Sequence, residues 1–425
     1  MSPRSSLSAQ GDAGPSRRPL KFAVLQLGAR MHYAVPALLK RAGMLQHFYT
    51  DAVGDLGLTA ALGRLVPPRW RPAAIKRLLG RKIPDEVSPT EVTTVQTLSL
   101  LDRLRHSVEQ PTELSADVAP AWLRQRITLE NFKGANALYC LDPGDVPVID
   151  AAKKRGMFVV YEQIIAPQVG WILREERARF PGLEPQDSEE VVEAGIRLER
   201  EAWEKADLVL APSDFVRDGL LELGAPAEKI RLVPYGLPGK WFGPLDADPI
   251  PGRVLFVGGV GLRKGNHYLA EACRILADRG VAAEFRVVGP YDAREIASPL
   301  FTGPTYVGQV PRSQVREEFL RADLFAFPTL VEGFALSHLE AMACGLPVVT
   351  TPNCGPAVRD GQDGFVVPPR DPRALADRIQ AIISDRALRK RLGASARERA
   401  ATFSWSQYHE RLLAAVTGED QRRAA

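Results

Sequence analysis

The stretch Thr329-Leu-Val-Glu-Gly-Phe-Ala-Leu-Ser-His-Leu-Glu-Ala-Met-Ala-Cys-Gly-Leu-Pro-Val-Val-Thr350 constrains the fold more than any other. Just before it, Asp323 to Pro328 is an apolar run that reads as a buried strand. A loop with Glu332 and Gly333 follows, then a run of good helix formers carrying Glu340. Gly345 ends that helix, and Leu346 to Thr350 read as a second buried strand. If the segment between the two carboxylates is helical throughout, it rises about 12 Å and puts both on roughly one side. Two readings stay open at this point. The pair spans the two ends of an elongated anionic ligand, or it is an ordinary acidic helix start, which is stabilising by itself.

The same alternation of strand and helix runs through both halves of the chain. In the first half, Leu20 to Leu27, Ala137 to Leu141, Met157 to Tyr161, Asp207 to Ala211 and Ile230 to Val233 read as strands. Glu189 to Lys205 reads as a charged amphipathic helix. In the second half, strands are expected at Arg253 to Val257, Glu284 to Val288, Tyr306 to Gly308 and between Gly361 and Pro368. Helices are expected at Asn266 to Asp278, Arg312 to Arg321, after an Asp371 cap with Pro372, at Ala387 to Ala401, and from Phe403 to about Ala415. Such alternation implies an α/β protein with parallel sheets. A chain of 425 residues is long enough for two cores. Residues 236–252 carry the glycines and prolines of an interdomain linker. The expected organisation is a tail over 1–18, domains over 19–240 and 253–402, a linker at 241–252, and a closing helix and tail over 403–425.

Ligands collect beyond the carboxyl ends of parallel strands. After the first strand stand Gly28, Arg30 and His32, as ligand-facing or solvated loop residues. After later strands stand Asp142, Glu162 and Gln163. After Arg253 to Val257 comes Gly258-Gly-Val-Gly-Leu-Arg-Lys-Gly265. A dinucleotide fingerprint is its rival reading. Against that, Arg263 and Lys264 stand where the fingerprint packs small residues, and Gly289-Pro290, not an acid, ends the next strand. Two cations at a helix N-terminus suit a diphosphate. Together, the loop and the Glu332/Glu340 pair fit the length of a nucleoside-diphosphate sugar.

Composition narrows the classes. A net charge of +4 gives no reason to expect nucleic acid as a partner, and the 45% hydrophobic, 25% charged balance is that of a globular protein. Cys140, Cys273, Cys344 and Cys354 show no C-x-x-C spacing, so reduced thiols, a cytoplasmic setting and no zinc are expected. Asp246-Ala-Asp248 mimics a metal motif but lies in the proline-rich linker. Residues 62–82 hold seven Lys and Arg without an acid, interleaved with Trp70 and aliphatics. They read either as a solvated helix packed on its apolar side or as a peripheral contact with the inner face of an anionic membrane.

With both halves laid out, the chain resembles glycosyltransferase family 4, a retaining group with the GT-B fold. The motifs that carry the likeness are Asp207 to Ser213, Val233-Pro-Tyr-Gly236, Gly258 to Gly265, Glu332-x7-Glu340 with its Ala-Met-Ala-Cys-Gly-Leu-Pro continuation, and Phe403-Ser-Trp405. The resemblance implies two facing Rossmann-like domains, with a C-terminal helix returning towards the first. It implies transfer of a hexose-type sugar from a nucleotide-diphosphate sugar to a glycan, lipid-linked or small-molecule acceptor, with no cofactor and no metal. By motif position, Lys264, Arg263 and Glu332 look like the catalytic groups, and Glu340 looks like the ribose ligand. Gly333, Phe334, Ala335, Leu336, Gly259, Gly289, Gly308 and Val310 complete the implied donor site. Gly28, Arg30, His32, Asp142, Glu162 and Gln163 are the acceptor-side candidates. Three departures stand out: Gly259 where the family often has arginine, Tyr235 where asparagine is usual, and Glu162-Gln163 where many members have histidine. A sugar-nucleotide epimerase on the same fold and a non-catalytic carbohydrate-binding protein are the rival classes.

Overall fold

A computed structural model describes residues 18–67, 78–100, 102, 118–245, 249–355 and 357–419. The strands form a seven-stranded sheet, β3-β2-β1-β4-β5-β6-β7, and a six-stranded sheet, β10-β9-β8-β11-β12-β13. The first sheet contains β1 Phe22–Leu25, β2 Leu45–Thr50, β3 Val92–Thr94, β4 Ala137–Cys140, β5 Phe158–Glu162, β6 Leu208–Ala211 and β7 Ile230–Leu232. The second contains β8 Arg253–Val257, β9 Glu284–Val288, β10 Thr305–Gly308, β11 Leu324–Phe327, β12 Val348–Thr350 and β13 Gly364–Val366. The pairings among the described residues are parallel. By contacts the chain divides into two compact units, residues 1–139 with 154–157 and residues 140–153 with 158–425.

In the first unit, Phe22, Ala23 and Val24 are fully buried, with β1 paired to β2 and β4. Strand β2 escapes the sequence reading because Gln46 and His47 interrupt its apolar run. His47 is nonetheless buried, hydrogen-bonded to Thr93 at 2.9 Å, and burial pulls its pKa down. Of the basic segment, residues 68–77 lie outside the described residues, as do the tail through residue 17 and Asp246-Ala-Asp248. Within the described part, Arg81 turns inward to Asp51 at 2.7 Å, and Leu78 is buried. Among the described residues no helix is long and apolar enough to cross a membrane.

In the second unit, β8 lies between β9 and β11, and the strand order reverses there. That reversal is a switch point, where the loops after neighbouring strands part and leave a crevice. The loops concerned are 258–265 after β8 and 328–335 after β11. They are laced together: Leu330 N–H and Thr329 Oγ1 both donate to the carbonyl of Arg263, at 2.9 and 3.0 Å. Gly265 has φ +69°, and a Cβ there would lie 1.9 Å from the carbonyl oxygen of Pro328. The helix Asn266–Asp278 starts from that glycine. Farther on, Asp371 caps the helix Pro372–Ser384 through Ala374 N–H at 2.9 Å, as expected. The final helix Trp405–Thr417 returns to the segment after β7: Arg411 donates to the Pro234 carbonyl at 3.0 Å, and Leu237 N–H donates to that of Phe403 at 2.8 Å.

Gly265→Ala should therefore cost about 3 kcal/mol or more, because the backbone must separate. Gly156→Ala, also at positive φ but in open space, should cost only about 1 kcal/mol. Chemical denaturation of the two variants checks this, and equal losses would contradict the close approach.

Candidate functional site

The crevice beside β8 and β11 gathers charge. Arg263 Nη1 donates to Glu332 Oε1 at 2.5 Å and to the Val331 carbonyl at 3.1 Å. Lys264 Nζ pairs with the same Glu332 oxygen and sits 4.9 Å over the Phe327 ring. Its side chain is only 17% exposed. Burial pulls its pKa down, and Glu332 opposes the pull. Beneath it, burial depresses the pKa of His338 to about 3, with the Lys264 charge adding to the effect. His338 is therefore a neutral core residue, its Nε2 3.1 Å from Thr350 Oγ1.

Helix Leu336–Ala343 is shorter than the run from Glu332 to Glu340, so Glu332 stands on the loop and only Glu340 is helical. The loop with Glu332 and the short helix with Glu340 are as expected, so no continuous helix joins the two carboxylates; Glu332 N–H donates to the Asn353 carbonyl at 2.9 Å, which ties its loop to the one after β12. The helix has no side-chain cap at its N-terminus. Such an end carries N–H groups and a positive dipole end suited to an anion. Of the implied donor-site residues at this helix end, Ala335 already gives its N–H to the carbonyl of Cys354 at 3.2 Å. Gly333 is required by space: a Cβ would lie 1.9 Å from the Ile164 carbonyl oxygen. Its own carbonyl accepts from Ser213 Oγ at 2.6 Å. Phe334 is buried against Tyr235 and Phe403, with ring centroids 5.7 and 5.8 Å away.

At the other end of the helix, Glu340 is 4% exposed and paired with Arg312. Burial pushes its pKa up, and Arg312 works against that. Arg312 itself lies 5.4 Å over the Trp241 ring. Sequence reasoning missed Arg312, although its place just beyond a strand end, after Gly308 and Val310, marks it as a lining position. Gly289 and Gly308 sit at the ends of β9 and β10, joined by Gly289 N–H donating to the Gly308 carbonyl at 3.0 Å. Gly259 lies in the same loop as Arg263, with a hypothetical Cβ 3.9 Å from Pro290.

The acceptor-side candidates divide between the units. In the first unit, Gly28 N–H donates to Asp51 at 2.9 Å, and the Arg30 carbonyl accepts from Gln26 at 3.2 Å. Met31, His32 and Tyr33 all have φ between +46° and +60°, a costly run for residues with side chains. In the second unit, Asp142 caps Gly144 N–H at 2.8 Å. Glu162 accepts from Tyr235 Oη at 2.5 Å, and both are buried. Two of the three departures from the family pattern thus touch each other. Gln163 is buried too, donating to Glu199 at 3.1 Å and accepting from Trp203 at 2.9 Å.

Comparison with known proteins agrees with this geometry. Residues 240–399 match the family model of the glycosyl transferases group 1. D-inositol 3-phosphate glycosyltransferase of Geodermatophilus obscurus is 30% identical over 61% of this chain and 66% of its own length. Amylovoran biosynthesis glycosyltransferase AmsK of Erwinia amylovora is 30% identical over 40% of this chain and 46% of its own. The chain spans about half the length of the curated relatives it matches first, at 49, 42 and 48%. Among solved structures, Anabaena Alr3699/HepE in complex with UDP and glucose has a TM-score of 0.62 at 16% identity, over 94% of this chain and all of that one. The sheets are those of the GT-B fold, and the chain belongs to the glycosyl transferases group 1 family.

Proposed function

We propose that the chain is a retaining glycosyltransferase, moving a hexose-type sugar from a nucleoside-diphosphate sugar to a hydroxyl of a glycan, lipid-linked or small-molecule acceptor. The observation that carries this reading is the meeting of Arg263, Lys264 and Glu332 at the β8/β11 switch point, beside an uncapped helix N-terminus. A nucleoside diphosphate is already a good leaving group, so no acid of raised pKa is needed. The protein has to stabilise charge growing on phosphate oxygens, and preorganised cations and amides in a dry site do that. Without donor, Glu332 neutralises the two cations. With donor, the diphosphate takes over that task, and the Glu332 carboxylate is released to the sugar hydroxyls.

Retaining glycosidases hold two carboxyl groups about 5–5.5 Å apart across one bond. Glu332 and Glu340 belong to different elements and to different cation partners, so they are read as two ends of the donor and not as nucleophile and acid. The family resemblance implies front-face transfer, in which a donor phosphate oxygen accepts the acceptor proton. At the ribose end, Arg312 favours the ionised form of Glu340 against burial, and an ionised carboxylate accepts from both ribose hydroxyls.

Glu332→Gln and Lys264→Ala should each lower sugar transfer at least about tenfold with the fold retained. A thermal-shift panel of UDP, GDP, ADP and dTDP sugars supplies the donor for that assay, with UDP-glucose first. Near-normal turnover in either variant would remove the assigned roles. Arg312→Ala should raise donor KM with little change in kcat. It should also leave Glu340 with a higher pKa. A carboxyl raised on folding contributes stability below its ordinary value of 4.5 and loses it as pH rises through the raised one. The variant's melting temperature should therefore fall more steeply than that of wild type as pH rises above 4.5. Adding Glu340→Gln should remove that excess.

A further inference from the structure

Between β5 and the helix Glu189–Lys205 runs a helix, Val169–Arg179, and a loop to Asp187. None of the donor-site assignments uses this strap, yet it is fastened to the second sheet at three points. Glu176 is fully buried and accepts from His267 Nε2 at 2.9 Å, Tyr268 Oη at 2.6 Å and Arg370 Nε at 2.7 Å. Burial alone would raise its pKa, but those donors outweigh it and hold the carboxyl below its ordinary value. Phe180 packs edge-on against His267 at 4.7 Å.

The third point lies on the 258–265 loop itself. Leu262 N–H donates to Glu184 Oε1 at 2.8 Å. A Cβ on Gly261 would lie 3.1 Å from that oxygen and 3.8 Å from Glu295 Oε1, so two carboxyl groups crowd one glycine. Arg177 Nε reaches Glu184 at 3.2 Å but gives its Nη1 to Asp187 at 2.6 Å. On the far side, Asp292 pairs with Arg294 at 2.7 Å and adds negative charge near Glu295. Arg263 and Lys264, the cations of the loop, are spent on Glu332. Arg177 is divided between Glu184 and Asp187, and two carboxyl groups crowding one glycine repel each other when both are ionised.

We propose that Glu184 is a positioning residue for the 258–265 loop, and that proton sharing with Glu295 makes the strap's hold on that loop depend on pH. Its consequence for transfer rests on the donor-loop reading above, but the hold is measured without substrate. Burial, then the Glu184 charge, raises the Glu295 pKa from 4.5 to about 7. The sign follows from that shift: the hold is complete below 4.5 and is lost as pH rises through about 7. With a released carboxyl at its ordinary value, the docked fraction relative to the released one falls about tenfold from pH 6 to pH 8.

Hydrogen–deuterium exchange of the peptide containing Leu262, corrected for the intrinsic rate, reads this directly on the full chain. Wild-type protection should fall about tenfold from pH 6 to pH 8. In Glu295→Gln the side-chain amide donates to Glu184 at either pH, so the fall should vanish while protection persists. In Glu184→Ala protection should be low at both. A flat wild-type profile, an unchanged fall in Glu295→Gln, or full protection in Glu184→Ala would each overturn the proposal. Should a variant fail to fold by circular dichroism, the wild-type series alone still decides. Donor KM, measured with the nucleotide-sugar from the panel, should follow the same profile in wild type and not in Glu295→Gln. Absence of transfer with the exchange profile intact would count against the glycosyltransferase reading and not against the strap.

Discussion

One carboxylate holds the second sheet's crevice together. Arg263 and Lys264 stand on neighbouring residues of a tight loop, and the lysine is largely removed from water. Two cations so placed repel each other, and burying them unpaired would cost several kcal/mol. Glu332, from the loop after the adjacent strand, answers both with one oxygen. That is possible only because the two loops are stitched by Arg263 carbonyl bonds and by the absence of a side chain on Gly265. The ion cluster therefore fixes where the loops lie, and the loops fix where the uncapped helix points. Its weakness is also its use. A carboxylate holding two cations by one oxygen can yield them to a ligand that presents several.

The loop carrying Glu332 is braced from behind by residues that follow strands of the first sheet. Ser213 holds the Gly333 carbonyl, the Ile164 carbonyl abuts the Gly333 backbone, and Tyr235 packs edge-on against Phe334 while donating to Glu162. The closing Phe403 completes the aromatic wall, and Arg399 and Arg411 lie 4.9 and 5.8 Å over its ring. The motifs around Ser213, Tyr235 and Phe403 lie far apart in sequence because they serve one short loop.

What the sequence made legible follows from the range of the forces involved. The central strands of the second sheet, β8, β11 and β12, are buried along most of their length, so their apolar runs declare them, and their ends fell within about two residues of expectation. Glycine-rich loops and caps such as Asp371 are local and were equally readable. Strand β2 was not, because a histidine satisfied by Thr93, forty-six residues away, looks polar in isolation. Arg312 and Glu184 were missed for the same reason. Their partners, Glu340 and the Leu262 amide, are 28 and 78 residues distant, and an exposed-looking charge carries no mark of the carboxylate or amide it will meet. The loop with Glu332 and the short helix with Glu340 were legible, because Gly333 interrupts the run of helix formers just upstream of Leu336.

The departures from the family pattern become coherent in space. Glu162 and Tyr235 are buried against each other, so neither is an isolated substitution. A buried carboxylate needs a donor, and the phenol supplies one at 2.5 Å. Replacing either alone removes one hydrogen bond from its buried partner, so the two positions are coupled. The loss of a cation at Gly259 has a similar logic. Arg263 is four positions later, and its guanidinium reaches Glu332 and the Val331 carbonyl, supplying positive charge to the same crevice from the far side of Gly261. A loop whose charge is shifted towards its helix end needs that end held in place. The strap's hold on Leu262, the residue immediately before Arg263, provides that restraint.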